Sequence, residues 1–274
     1  MENWTGILQL VMEKKKEKTV TKTVYFQGAL KVLRPNYLDN SGQACFFIVN
    51  PGGGYVGGDR YRIEVKLEEH AELILTTQSA TKVYRTPTIP VLQETEFILK
   101  KGSVLEYIPD PLIAYRDAKY NQYTVIKMEK GSTLLYTDIL TPGWSPDGEW
   151  FKYDQLRLKN EIYLEDQLIA FDHLKLQPSD SHVDDIGFME KYTHLGSMIV
   201  VDERCTQGFL NKLYEELENH INDCKIGVSM LQDSGFTIRI LASSTQQIES
   251  ILAVCTSFIR QEWFSKQPLS LRKY

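Results

Sequence analysis

The chain has 274 residues, 42% of them hydrophobic, and a formal net charge of −5. That length and apolar content can build a sizeable core, which excludes a disordered chain. The acidic balance argues against a nucleic-acid partner, and no run approaches the ~18 consecutive apolar residues of a membrane helix.

The start, MENWTGILQLVMEKKK, lacks the basic-then-apolar order of a secretory signal, so a cytoplasmic protein is expected. The mixed-sign run from Glu13 to Lys18 reads as a solvated turn. Residues 45–49, CFFIV, form an apolar strand that runs into NPGGGYVGGD at 50–59. Tyr61, Ile63, Val65 and Leu67 then alternate with charged residues, the pattern of a half-buried strand, and residues 73–77 give the next one. From here a two-part pattern recurs: an apolar strand end, a short charged turn, a new strand. LEEHAELIL begins at Leu67, LKKGSVLEY at Leu99 and MEKGSTLLY at Met128, with a looser copy, LEDQLIAF, at Leu164. Spacings of 32, 29 and 36 predict stacked strand pairs, as in a layered sandwich or an irregular β-solenoid.

Residues 177–196 hold Pro178 and two Asp clusters without a clear period, and read as a connector or surface loop. Residues 197–201 predict a strand. Phe209, Leu210, Leu213, Tyr214, Leu217 and Ile221 share one face of a predicted helix over 207–221. Strands follow at about 226–231 and 236–241, joined by QDSG. A second helix starts after Ser244, which forms a capping box with Gln247; Ile248, Ile251, Leu252, Cys255, Phe258 and Ile259 make its apolar face. The expected fold is mainly β, in two layers, with two helices near the C-terminus. It divides into a strand-pair region at 1–176, the connector at 177–196 and an α+β region at 197–274 packed on the first in one continuous domain.

The stretch Gly52 to Gly57 fits G-x-G-x-x-G, the pattern of a dinucleotide-binding turn. Such a turn needs a helix that starts inside it, so that the helix N-terminus faces the pyrophosphate. Here period two continues through YRIEVKL, and no Lys-Ser or Lys-Thr follows the glycines. The P-loop reading therefore fails, and the residues that follow weigh against a dinucleotide turn. The expected structure is a corner between two strands, where Gly52, Gly53, Gly54, Gly57 and Gly58 permit positive φ or the close approach of another surface. Asp59 at its exit can accept hydrogen bonds from turn amides.

Four segments resemble the urease accessory protein D family (UreD, also called UreH) in order and spacing. They are NPGGGYVGGD, LTTQSATKVYRT at 75–86, LEYIPDPLIAY at 105–115 and GEWF at 148–151; YTHLGSMIV and PLSLRKY fit more loosely. The resemblance implies a two-layered, mostly β fold and a non-enzymatic scaffold. Such a scaffold binds apo-urease subunits on one side and accessory protein F on the other. Through F it recruits accessory protein G, a GTPase, and it promotes Ni²⁺ delivery and lysine carbamylation in urease.

The residues themselves contain no catalytic set. His70, His173, His182, His194 and His220 are isolated, and Cys45, Cys205, Cys224 and Cys255 have no metal-ligand spacing, so no tightly bound cofactor is expected. The cysteines read as reduced and mostly buried. His182 beside Asp180, Asp184 and Asp185 reads as a charged surface loop. Asp172-His173 reads as a strand end without a nucleophile. Asp59, Glu106, Asp110, Asp138 and Glu149 lie in or beside the family-like segments, and Glu106 and Asp138 interrupt apolar runs. A buried carboxylate needs a cation or water. Each of the five therefore pairs with Arg or Lys, caps a turn, or lines a hydrated passage for transient Ni²⁺, whose scattered oxygen ligands let an ion enter and leave. Lys82, Tyr84, Arg85, Trp144, Trp150 and the glycine block are interface candidates. Two other readings stay open at this level: a cytoplasmic β-rich ligand-binding module, supported by β content and aromatics, and a dinucleotide-binding enzyme, supported only by the glycine pattern.

Overall fold

The computed structural model describes residues 3–180, 183, 185, 187–218, 223–232 and 234–271. β1 (Gly6–Lys15) and β2 (Lys18–Gly28) form an antiparallel hairpin; only Lys16-Glu17 of the mixed-charge run make its turn, while Glu13, Lys14, Lys15 and Lys18 are paired strand, and the short β3 (Lys31–Val32) leads to β4 (Ala44–Val49). From there the chain alternates between two sheets. β5 (Arg60–Leu67) lies in the first and β6 (Glu72–Thr77) in the second, followed at the side by β7 (Thr81–Val83). β8 (Val91–Leu99), β9 (Val104–Tyr107) and β10 (Leu112–Ala114) repeat that path, as do β11 (Lys119–Met128) and β12 (Thr133–Leu140). β13 (Gln155–Leu164) returns to the first sheet and folds back as β14 (Gln167–Leu176). β15 (His194–Val201), α1 (Gln207–Glu218), β16 (Lys225–Met230), β17 (Gly235–Ala242) and α2 (Thr245–Phe264) complete the order. The first sheet runs β14-β13-β11-β8-β5-β1-β2 and the second β16-β17-β15-β12-β9-β6-β4-β3.

The repeat read from the sequence is the register of the stack. Leu67 pairs with Leu99, Leu99 with Met128 and Met128 with Leu164, in parallel neighbours of the first sheet. The charged turns stack in the same way: the Lys100 amide donates to Leu67 O at 3.0 Å and the Glu129 amide to Leu99 O at 2.8 Å. The fourth copy differs. Residues 68–71, 100–103 and 129–132 are four-residue links from one sheet to the other, but only Glu165 and Asp166 follow β13. A two-residue link closes a hairpin and has no slack to cross the ~10 Å between packed sheets. LEDQLIAF is thus the antiparallel end of the first sheet, not another crossing.

The second sheet is buried on both faces. Leu105, Tyr107, Leu134 and Tyr136 point inward against the first sheet, while Leu135, Ile139, Met198 and Val200 join the helices in a separate core. α1 contributes Phe209, Leu210, Leu213 and Leu217 to that core. Tyr214, expected on the same face, is instead largely exposed, its hydroxyl donating to Val228 O at 3.1 Å. Ile221 lies outside the described residues. α2 begins at Ser244 as expected: Gln247 N donates to Ser244 Oγ at 3.3 Å, and Ser243 N donates back to Gln247 Oε1 at 3.0 Å. Cys45, Cys205 and Cys255 are buried thiols and Cys224 is a half-buried one, and burial pushes the Cys205 and Cys255 thiols up to about 12.

A buried ion pair joins the helical layer to the sheet. Arg260 of α2 is fully buried; its Nη1 donates to Glu106 Oε1 at 2.5 Å and to Gln43 Oε1 at 3.2 Å. Gln43 Nε2 donates to the same carboxylate at 2.8 Å. Removing one partner of such a pair strands a charge in low dielectric, whereas replacing both with apolar groups does not. Arg260→Ala is therefore expected to cost about 3–5 kcal/mol of stability, and Arg260→Met combined with Glu106→Leu to recover most of it, as urea unfolding of the three chains would measure.

Candidate functional site

The first sheet carries a change of chemistry along its inward face. Near the charged turns the inward residues are apolar: Phe97, Leu99, Ile126, Met128 and Ile162. In the middle of β8, β11 and β13 they become polar, before Val91 and Leu156 restore an apolar end. Gln93 pairs in register with Gln122, Thr95 with Thr124, and Thr124 with Asn160, and all five are buried. Stacked coils thus align single polar residues into a layer across the interior. Buried polar groups must find partners, and these do. Tyr55 Oη donates to Gln93 Oε1 at 3.0 Å and Tyr120 Oη to Gln122 Oε1 at 3.0 Å. Gln122 Nε2 donates to Tyr136 Oη at 3.3 Å, and Tyr136 Oη to Asn160 Oδ1 at 3.2 Å.

The layer borders a cavity of about 40 Å³, lined by Tyr55, Thr77, Gln93, Tyr107, Asp110, Gln122 and Asp138 among others. At roughly 10–15 Å³ each, this holds about three waters. Ile48, Tyr55, Thr77 and Thr81 also line a smaller cavity of about 30 Å³ behind Gly53, Gly54 and Lys82. Pro109, Asp110 and Ile139 form the opposite wall, shared with a surface groove of about 620 Å³ beside α2.

Two of the five candidate carboxylates meet at this cavity. Asp110 Oδ2 accepts from Thr77 Oγ1 at 3.0 Å. Asp138 is pushed up to about 7, first by loss of water around the carboxyl and then by the nearby Asp172; hydrogen bonds from Tyr136 and Asn160 and the charge of Arg239 oppose the rise. Burial also raises the Tyr55, Tyr107, Tyr120 and Tyr136 phenols, which stay protonated donors. The other three carboxylates lie elsewhere. Asp59 holds the corner, accepting from Val56 N at 2.8 Å, Tyr61 Oη at 2.9 Å and Thr5 Oγ1 at 3.1 Å. Glu106 faces α2 and Arg260, on the far side of the second sheet. Glu149 lies on the surface and pairs with Lys152 at 2.5 Å.

The corner joins β4 to β5, a strand where a dinucleotide fold would need a helix. Gly53 and Gly58 have φ of +75° and +85°. A methyl at Gly54 would sit 2.5 Å from Tyr84 Cε2 and 2.9 Å from Lys82 O, and one at Gly57 3.2 Å from Thr86 Cα. Gly52 donates its amide to Asn50 Oδ1 at 3.0 Å. The surface these glycines admit is the chain's own TTQSATKVYRT segment, the next coil of the stack. Beyond it the coils expose an aromatic column. Tyr84 stands 4.9 Å from Tyr115, centroid to centroid, and Tyr115 4.8 Å from Trp144. Arg85 pairs with Asp117 at 3.1 Å and Arg116 with Asp147 beside it. Trp144 is 50% and Trp150 61% exposed.

Sequence reasoning missed Tyr115, Arg116, Gln93 and Gln122. The signal was present: Tyr84-Arg85 and Tyr115-Arg116 are 31 residues apart, one coil of the repeat. Asp172 pairs with Arg239 at 2.5 Å and His173 stacks near Phe171, so those two form no dyad. His182, with Asp184, lies outside the described residues. Among the described residues no three His, Cys, Asp or Glu side chains gather to hold a metal, and no helix is long and apolar enough to cross a membrane.

Comparison with known proteins decides the family. The description "UreD urease accessory protein" matches residues 5–273. The chain belongs to the UreD urease accessory protein family. It is 48% identical to a urease accessory protein UreD of Lachnoclostridium phytofermentans, over 100% of both chains. It is 43% identical to one of Staphylococcus aureus strain bovine RF122, over 100% of this chain and 99% of the other. The role of the UreD family lies in urease maturation.

The Asp138 carboxyl gives this UreD chain a pH signature. Folded, Asp138 keeps its proton up to about pH 7, against 3.8 in an ordinary carboxyl. Between those values the folded chain binds more protons than the unfolded one, so this group's contribution to stability falls as pH rises. Asp138→Asn is expected to flatten that fall, gaining on the order of a few kcal/mol at pH 7 relative to its effect at pH 4. Urea midpoints of both chains across pH 4–8 would measure it; parallel profiles would contradict it.

Proposed function

We propose that this chain is a non-enzymatic maturation factor, working in the cytoplasm, that binds apo-urease and passes Ni²⁺ through its polar layer. With accessory proteins F and G it supports GTP-dependent nickel insertion into the urease active site. The observation that carries this reading is the water-sized interior cavity with Asp110 and Asp138 on its wall, in a chain of the urease accessory family. A cargo ion must leave as readily as it enters, and scattered oxygen donors suit that better than a closed His or Cys cage. The cavity is small, so Ni²⁺ would cross partly dehydrated, with Tyr, Gln and Asp oxygens replacing water. Asp59 shapes the corner end of the passage, while Glu106, neutralised by Arg260, and Glu149, on the surface, stay out of it.

The aromatic column supplies the binding face. Tyr, Trp and Arg dominate interface hot spots, because they bury large area at small entropic cost. Tyr84, Tyr115 and Trp144 form one contiguous stripe, with Arg85, Lys82 and Trp150 around it.

Two experiments test these parts separately. Tyr115→Ala and Trp144→Ala are each expected to weaken capture of apo-urease or of accessory protein F by about 2 kcal/mol, roughly 30-fold, with the fold intact. Unchanged capture of both partners would remove the stripe from the interface. Asp110→Ala and Asp138→Ala should leave complex formation normal but lower the nickel content of urease matured in cells, while Glu149→Ala should leave it unchanged. Full nickel loading with both cavity variants would overturn the passage.

A further inference from the structure

The chain crosses the groove beside α2 with its own C-terminal segment. α2 ends at Ser265 in a left-handed cap, with Ser265 N donating to Gln261 O at 3.2 Å and Lys266 N to Arg260 O at 3.0 Å. The next two residues are firmly anchored. Lys266 Nζ donates to Gln43 Oε1 at 3.0 Å and pairs with Glu72, and Arg260 Nε donates to Gln267 O at 2.9 Å. After Gln267 the chain lies along the groove and places Leu269 and Leu271 on its wall, opposite Ile113, Ile139 and Leu252. Both leucines are only half-buried, and about 620 Å³ of the groove stays unfilled. Among the described residues no hydrogen bond fixes 268–271 to the groove. Asp110, Pro109 and Ile139, the wall between groove and interior cavity, lie beneath.

We propose that residues 268–271 are a displaceable strap over the groove side of the interior cavity's wall. The hinge is the anchored pair Lys266-Gln267; the clasp is two leucines two residues apart, each burying apolar area in a groove it does not fill. An extended segment places such alternate side chains on one side. Seated, the strap covers the wall at Asp110; lifted, it exposes that wall and frees an aliphatic groove. This regulation rests on the reading of the cavity as a passage, but the strap itself is measured without nickel.

The test compares hydrogen–deuterium exchange of the full chain with that of a chain ending at Gln267. Residues 108–113 are expected to exchange several-fold faster in the shortened chain, with the β1–β2 hairpin unchanged. A synthetic peptide of residues 266–274 should bind the shortened chain and restore protection, and the same peptide carrying Leu269→Ser and Leu271→Ser should not. Should the shortened chain fail to fold, the full chain with Leu269→Ser and Leu271→Ser gives the same exchange readout. Unchanged exchange at 108–113 in whichever chain folds, or equal peptide binding by full and shortened chains, would overturn the strap. Neither result bears on nickel content with the Asp138 variants, so a failed strap and a failed passage are distinguishable.

Discussion

The register that sets Leu67 beside Leu99 and Leu99 beside Met128 governs the rest of the molecule. Parallel in-register pairing forces every coil to cross between sheets at the same height, through a link of the same length. It therefore also aligns everything else that recurs once per coil. Gln93 meets Gln122, Thr95 meets Thr124, and Tyr84 meets Tyr115 because the leucines at the turns meet first. A slip of one residue would turn each inward side chain outward. It would bury Glu94 and Glu96 and expose Phe97. The apolar residues on either side hold the register; the polar residues between them can then serve a purpose other than cohesion.

Two interior carboxylates show how differently the same chemistry is handled. Glu106 sits on β9 between Leu105 and Tyr107, which face the first sheet, so alternation sends it toward α2. There Arg260 compensates it, and the pair ties a helix to a strand 154 residues away. Asp138 sits on β12 two residues from inward Tyr136 and shares its side. Its nearest partners are a phenol, an amide and water-sized space, so it titrates near neutrality. The first arrangement fixes a charge in place. The second leaves a group that changes charge at little cost, which suits the proposed passage of a cation.

Much of this was legible in the sequence, for identifiable reasons. Spacings of 32 and 29 residues set the coil, and YRIEVKL after the glycines removed the nucleotide reading. The ending of the stack was not read, although the two-residue link Glu165-Asp166 is too short to cross where the four-residue KKGS is not. The face of Glu106 depended on where α2 packs, a tertiary fact that strand alternation alone does not contain. The polar layer was visible only as Gln and Thr at positions where period two demands apolar residues. Such departures from pattern gain meaning once their register neighbours are known. Asp59 and the five glycines resolved into a corner, in which Gly54 admits Tyr84 and Gly57 admits Thr86 of the chain's own next coil.

The most direct measurement is the nickel content of urease matured alongside a chain carrying Gln93→Met and Gln122→Met. These substitutions keep side-chain volume and remove the amides from the layer, while both carboxylates, the aromatic column and the Arg260 pair keep their residues. If ions cross the polar layer, the variant folds, binds its partners and leaves urease poor in nickel. A urease with its full complement of nickel, from a folded and partner-bound variant, would contradict transit through the interior.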